Sequence, residues 1–232
     1  MPLAISRAAG PRFLNGRRPS LDVRDWRFPM RRATKGLGCG GSVVVPIVGK
    51  TWEAGPLLDQ GMTPQCVAFA WAGWLGCLPL RTLVPSPSFE DALYHRAQQL
   101  DEWPGEDYDG TSVRGGAKAL AELGHIKDYT WAALEQELWN YIASTGPVVI
   151  GVNWYDGMMD PDSNGYLNLT GYVAGGHSTF LRGAGTDYLM RNSWGRWGLN
   201  GDGDALIRRP DMARLLGEDG EACTGSEILV AA

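Results

Sequence analysis

Cysteine and histidine are scarce in this sequence: four and three among 232 residues. No apolar run reaches about 18 residues, so no membrane span is expected. So few cysteines do not make a disulfide-knit secreted scaffold and fit a reducing compartment. The first apolar stretch, residues 2–6, is short and ends at Arg7, so no signal peptide is expected. A cytoplasmic or virion-associated protein of prokaryotic or phage type is the resulting expectation. Calcium ligands are missing too. Asp202-Gly203-Asp204 lacks the further spaced carboxylates and terminal Glu of a calcium loop and reads as a solvated turn.

Acidic residues are nearly absent from the start of the chain. Residues 1–35 hold nine Lys/Arg against two Asp/Glu, whereas the rest holds 12 against 24, for a net charge of −5. Residues 1–20 read as a basic arm lying extended on an acidic body, with docking to a protein partner as the alternative. Nucleic acid is not an expected partner.

Among the cysteines, Cys66 stands apart. Residues 59–66 are turn-like, and residues 67–78 then run without a charge until Pro79. Apolar on all sides and rich in Ala, residues 66–78 read as a buried helix. A thiol in its first turn meets unpaired N–H groups and the positive end of the helix dipole, which favour the thiolate. Cys77, deeper in the same run, reads as a small core residue.

Of the histidines, His95 lies in a charged helix-like segment and His125 follows Leu123-Gly124 at a helix end, and both read as structural. His177 follows Gly175-Gly176 at the start of a strand-like run, which can project its imidazole toward another element. A second strand delivers Asn192 into a Gly/Trp loop, Asn192-Ser193-Trp194-Gly195-Arg196-Trp197-Gly198. An Asn amide can orient an imidazole without adding charge. Each residue alone is more often structural. Together they make a nucleophile, an acid/base and its orienting group.

In this order, Asp59-Gln60-Gly61 with Cys66-Val67-Ala68-Phe69-Ala70, then Gly175-Gly176-His177, then Asn192-Ser193-Trp194-Gly195, resembles the papain-like cysteine peptidases. The resemblance runs from about residue 20 onward, with residues 22–27 as an opening segment, 88–100 as the second helix and 146–152 as the strand before the histidine. It implies an α+β fold of two subdomains, a helical half and an antiparallel β-barrel-like half, with the cleft between them. Residues 60–145 would form mainly the first half, including helices at 115–123 and 130–144, and residues 146–232 mainly the second. The resemblance further implies that Cys66 is the nucleophile, His177 its acid/base and Asn192 the orienter, with Trp194 covering the contact. Gln60 and the Cys66 N–H would bind the oxyanion. Trp197, Gly115 and Gly116 would contact substrate, and no metal or organic cofactor would be needed.

Departures are also visible. Thr63-Pro64-Gln65-Cys66-Val67 lacks the family's upstream cysteine and the aromatic after the nucleophile. His177 and Asn192 follow Cys66 by 111 and 126 residues, against the usual span of about 130–150. The Trp loop is one residue short, the role of residues 28–59 is open, and little chain precedes residue 20 to serve as an inhibitory prodomain. The sequence thus points to an endopeptidase acting on peptide or protein substrates. The alternatives are a noncatalytic papain-like docking module of a phage particle or secretion assembly, and a Cys/His amidase acting on cell-wall peptides. The Asn-Ser-Trp-Gly loop and Gln60 disfavour the amidase.

Overall fold

The computed structural model describes residues 4–7, 10, 12–19, 49–82 and 85–226. Along these residues run β1 (Ile5–Ser6), β2 (Lys50–Thr51), α1 (Cys66–Gly76), α2 (Pro87–Leu100), α3 (Val113–Glu122), β3 (Asp128–Trp131) and α4 (Glu135–Ser144). Then follow β4 (Val148–Tyr155), a single 3-10 turn at Asp156–Met158, β5 (Val173–Ala184), β6 (Tyr188–Arg191), β7 (Gly198–Leu199), β8 (Asp204–Ile207), α5 (Arg209–Gly217) and β9 (Glu221–Ser226).

The uncharged run forms α1 as expected, and all of it except Phe69 is buried. Two indoles solve the problem of burying polar atoms with it: Trp71 Nε1 donates to Val113 O (3.1 Å) and Trp74 Nε1 to Pro147 O (2.9 Å). These bonds fasten α1 to the start of α3 and to the turn before β4. On another side Gly73 lies against the Phe180 ring, where a Cβ would approach within 2.5 Å. α1 is thereby seated on β5. Ser112 caps α3, its Oγ accepting from Gly115 N (2.8 Å).

The sheet is antiparallel, in the order β1-β7-β8-β6-β5-β4-β9-β3, with β2 also on β5. Its central pair, β4 with β5, aligns Val152 with His177 and Gly151 with Ser178. Four helices precede β4 and the long strands follow, so the mixed α/antiparallel-β character expected of the chain is present.

Some expectations need correction. Residues 130–134 are not the start of a helix: Asp128–Trp131 is a strand paired with β9, Trp131 opposite Cys223. Its aromatic and β-branched side chains suit a half-buried pleat better than a helix. Asp204 is not in a solvated turn either. Buried at the start of β8, it receives Arg182 Nε (3.0 Å) and Arg191 Nε (2.7 Å). His177 is not at a strand start, because β5 begins at Val173 and runs through both glycines. Segment 22–27 and residues 28–48, Cys39 among them, lie outside the described residues. The described end of the 28–59 insertion ties α4 to the sheet: β2 pairs with Ala184 and Gly183, and Trp52 Nε1 donates to Ile142 O (2.8 Å). Among the described residues no helix is long and apolar enough to cross a membrane.

Candidate active site

Cys66 opens α1, His177 stands on β5 and Asn192 follows β6; α1 packs on β5, which pairs with β6. Antiparallel pairing of β5 with β6 brings Asn192 beside His177, and His177 Nε2 lies 2.9 Å from Asn192 Oδ1. The Ser193 N–H also donates to Oδ1 (2.8 Å). Because that N–H can only donate, the amide oxygen is the atom facing the imidazole. Nε2 therefore carries a proton and the neutral ring keeps Nδ1 as its acceptor. Nδ1 has no hydrogen-bond partner among the described residues.

Aromatic rings seal this pair from water. Trp194 is fully buried, its ring centroid 4.9 Å from that of His177, and Trp154 stands edge-on to the imidazole at 4.8 Å. Trp197 lies behind Trp194 at 5.4 Å, buried, its Nε1 donating to Met159 O (2.8 Å). Gln60 is held in the same wall: its N–H donates to Ser193 O (2.9 Å), its Oε1 accepts from Ser193 Oγ (2.7 Å), and its amide nitrogen donates to Thr63 O (3.0 Å). That amide carries two hydrogens and Thr63 takes one. Gly115 and Gly116 are inside α3, facing Ala97 and Trp71 respectively. The edge of their segment that meets another stretch of chain is instead Gly110-Thr111, both buried.

A chain already lies along that edge. Residues 12–19 of the basic arm cross the groove over Cys66. Arg12 pairs with Asp59 (2.6 Å) and donates to Trp194 O (3.0 Å). Thr111 N donates to Gly16 O (3.2 Å) and Arg18 N to Thr111 O (2.9 Å), a parallel bridge centred on Arg17. The Arg18 guanidinium sits 4.4 Å from the Tyr108 ring centroid. Opposite Thr111, the bare backbone of β5 makes the other wall: a Cβ on Gly176 would meet Arg17 O at 2.5 Å.

Burial sets the electrostatics, with the charge of Arg17 as a smaller influence on the thiol. Burial pushes the Cys66 thiol up to about 12, although backbone N–H groups of Ser178, Val67 and Cys66 and the charge of Arg17 pull it down. Burial holds His177 down at about 4, against the Asn192 hydrogen bond, which raises it. Under the arm the pair is thus neutral thiol and neutral imidazole. Sequence reasoning did not assign Ser178, Ser193 or Trp154 to the site; it offered residues 108–116, Thr111 among them, as a backbone edge for a peptide, and the basic arm or a partner protein as what would hold an enzyme inactive, without placing either at Cys66. Ser193 lies within a motif it used, and Gly16, among bulkier and basic neighbours, was the one local sign of close approach. Among the described residues no cluster of His, Cys, Asp and Glu is arranged to hold a metal.

No protein-family model matches the sequence, and no curated protein does. Solved structures do match. Xylellain, a cysteine protease from Xylella fastidiosa, superposes with TM-score 0.64 at 16% identity, over 96% of this chain and 96% of its own. Digestive procathepsin L2 from Tenebrio molitor gives 0.65 at 20% identity over 92% and 78%, and procathepsin L3 from the same insect 0.63 at 16% over 87% and 74%. The chain has the papain-like cysteine protease fold.

Proposed function

We propose that this chain is a cysteine endopeptidase whose catalytic residues are Cys66, His177, Asn192 and Gln60, kept latent while residues 12–19 lie over the thiol. The observation that carries the reading is the engagement of His177 Nε2 by Asn192 with Nδ1 left as acceptor, beneath a groove that already accepts an extended chain above Cys66. Fold likeness to cysteine proteases supports it.

Once the arm is displaced, His177 Nδ1 takes the thiol proton and the Cys66 sulfur attacks a peptide carbonyl carbon. Negative charge moves to the carbonyl oxygen, where the Cys66 N–H and the second amide hydrogen of Gln60 stabilise it. The C–N bond breaks as the imidazolium protonates the leaving amine, which leaves a thioester. Water, deprotonated by His177, attacks that thioester and releases the acid and the thiol. Asn192 holds the ring throughout, and its neutral amide lets the imidazole shuttle one proton. None of these steps calls for a metal or organic cofactor.

The test is digestion of an unfolded protein by the full chain carrying Gly16→Val, in which the arm cannot stay seated over the thiol, with products read by mass spectrometry. Cleavage that disappears in Cys66→Ala supports the reading, and cleavage that persists in Cys66→Ala defeats it. One observation favours a second reading, a noncatalytic docking module: complete burial of Cys66 with its thiol at about 12. An arm that cannot be displaced would make this burial permanent.

A further inference from the structure

Two buried polar atoms close to His177 have no hydrogen-bond partner among the described residues: Asn192 Nδ2 and Thr179 Oγ1. The two residues are 2% and 1% exposed, so bulk water does not serve them. The fold sets them side by side. β5 and β6 pair antiparallel, Phe180 aligned with Arg191 and Leu181 with Met190. Continued by one residue, that register puts Thr179 across from Asn192, where opposite side chains share a face with Cβ atoms about 5 Å apart. Thr179 is also two residues along β5 from His177, so both project from the same face of the strand. His177 takes the oxygen of the Asn192 amide, which leaves the nitrogen as the free end of the group. Thr179 and Asn192 also line one small cavity of about 10 Å³, the room of a single water.

Resting on the peptidase reading for its effect on catalysis, we infer that Thr179 is a positioning residue for Asn192: its hydroxyl accepts from the Asn192 amide nitrogen, directly or through one buried water. The donor and acceptor capacities match. Nδ2 has two hydrogens to donate, and a Thr hydroxyl accepts two bonds while donating one. The oxygen end of the amide is already held by His177 Nε2 and the Ser193 N–H. Held there alone, the amide can rock about its terminal torsion, which is a broad well in Asn, and the imidazole rocks with it. A second hold at the nitrogen stops that motion. It also polarises the amide, so that Oδ1 accepts more strongly when the ring becomes imidazolium. An apolar residue at position 179 would leave Nδ2 without an acceptor in a dry site. Thr179 acts on His177 through Asn192.

The experiment compares Thr179→Val, which keeps the shape of the side chain and removes the hydroxyl, with Thr179→Ser, which keeps the hydroxyl. Stability is read on the full chain with the arm in place. Thr179→Val is expected to lower the thermal midpoint by about 2–4 °C. A midpoint that rises means that a hydroxyl without a partner has been removed, and overturns the inference. Turnover is read on the full chain carrying Gly16→Val. There Thr179→Val is expected to lower kcat about fivefold with KM unchanged, and Thr179→Ser to stay within about twofold of its parent. An undiminished kcat in folded Thr179→Val, or an equal loss in Thr179→Ser, overturns the positioning role. A crystal structure of the full chain separates the two forms of the contact: the hydroxyl within about 3.2 Å of Nδ2, or one water within that distance of both. Finding neither overturns the contact. Should Thr179→Val not fold, Thr179→Ser and Thr179→Ala, which differ by the hydroxyl alone, decide in its place: the serine form is the more stable and the faster, and the reverse order overturns the inference. Absence of turnover in every folded Gly16→Val chain defeats the peptidase reading and the catalytic role with it, while the midpoints and the crystal structure still decide the contact.

Discussion

Gly16 lies so close over Cys66 that a Cβ at that position would stand 2.9 Å from the Sγ and 2.7 Å from the Pro64 carbonyl oxygen. The thiol is covered because the residue above it has no side chain. Gly16→Val therefore cannot keep the arm seated, since backbone on the Pro64 side has nowhere to yield. In this variant Cys66 alkylation by iodoacetamide at pH 7 is expected to rise at least tenfold over wild type. An unchanged rate in folded protein would mean the arm does not protect the thiol.

Asn192 Oδ1 serves two donors, His177 Nε2 and the Ser193 N–H, in a dry pocket. Asn192→Ala leaves both unsatisfied, at a cost of about 1–3 kcal/mol in stability. The imidazole also loses its orientation, so kcat/KM is expected to fall on the order of 100-fold. Denaturant unfolding and peptide turnover read the two effects separately.

His177 is buried as the neutral imidazole, with a folded pKa of about 4 against 6.5 unfolded. Below 6.5 the unfolded chain binds the extra proton first. The neutral ring's contribution is complete above pH 6.5 and is lost as pH falls toward 4, on the order of 3 kcal/mol in all. Urea midpoints from pH 7 to pH 4 should decline more steeply in wild type than in His177→Gln. Parallel profiles would refute the burial argument.

Asp204 neutralises Arg182 and Arg191 in the strands that carry His177 toward Asn192. Asp204→Asn leaves two nearly buried guanidinium groups facing each other, which is expected to cost about 3 kcal/mol or more. Thermal unfolding measures it, with activity below the loss of stability affected little unless the strands separate.

The chain's own pattern made α1 legible, because an uncharged Ala-rich run bounded by Pro64 and Pro79 has one reading. His177 and Asn192 were legible as a pair only together with Cys66. Thr130 and Trp131 were misread as helix because Ala132, Ala133 and Leu134 extend the helical pattern of α4 upstream, while the strand's partner, β9, lies some 90 residues away. Asp204 was misread because its two arginines come from other strands. The place of the arm was hidden for the same reason: its charge is local, but the pocket that receives Arg17 combines Val113, Gly151, Gly176 and Glu221. Pairings across the fold leave little trace in neighbouring residues.

Covalent capture tests the central claim most directly. Wild type and Gly16→Val, each alone and combined with Cys66→Ala or His177→Ala, are incubated with an epoxide inhibitor of thiol proteases, and the intact mass is measured on folded protein. The account predicts one equivalent of label, faster in Gly16→Val and lost in both the Cys66→Ala and His177→Ala forms. A folded Gly16→Val chain that takes no label, or one labelled equally well without His177, would contradict it.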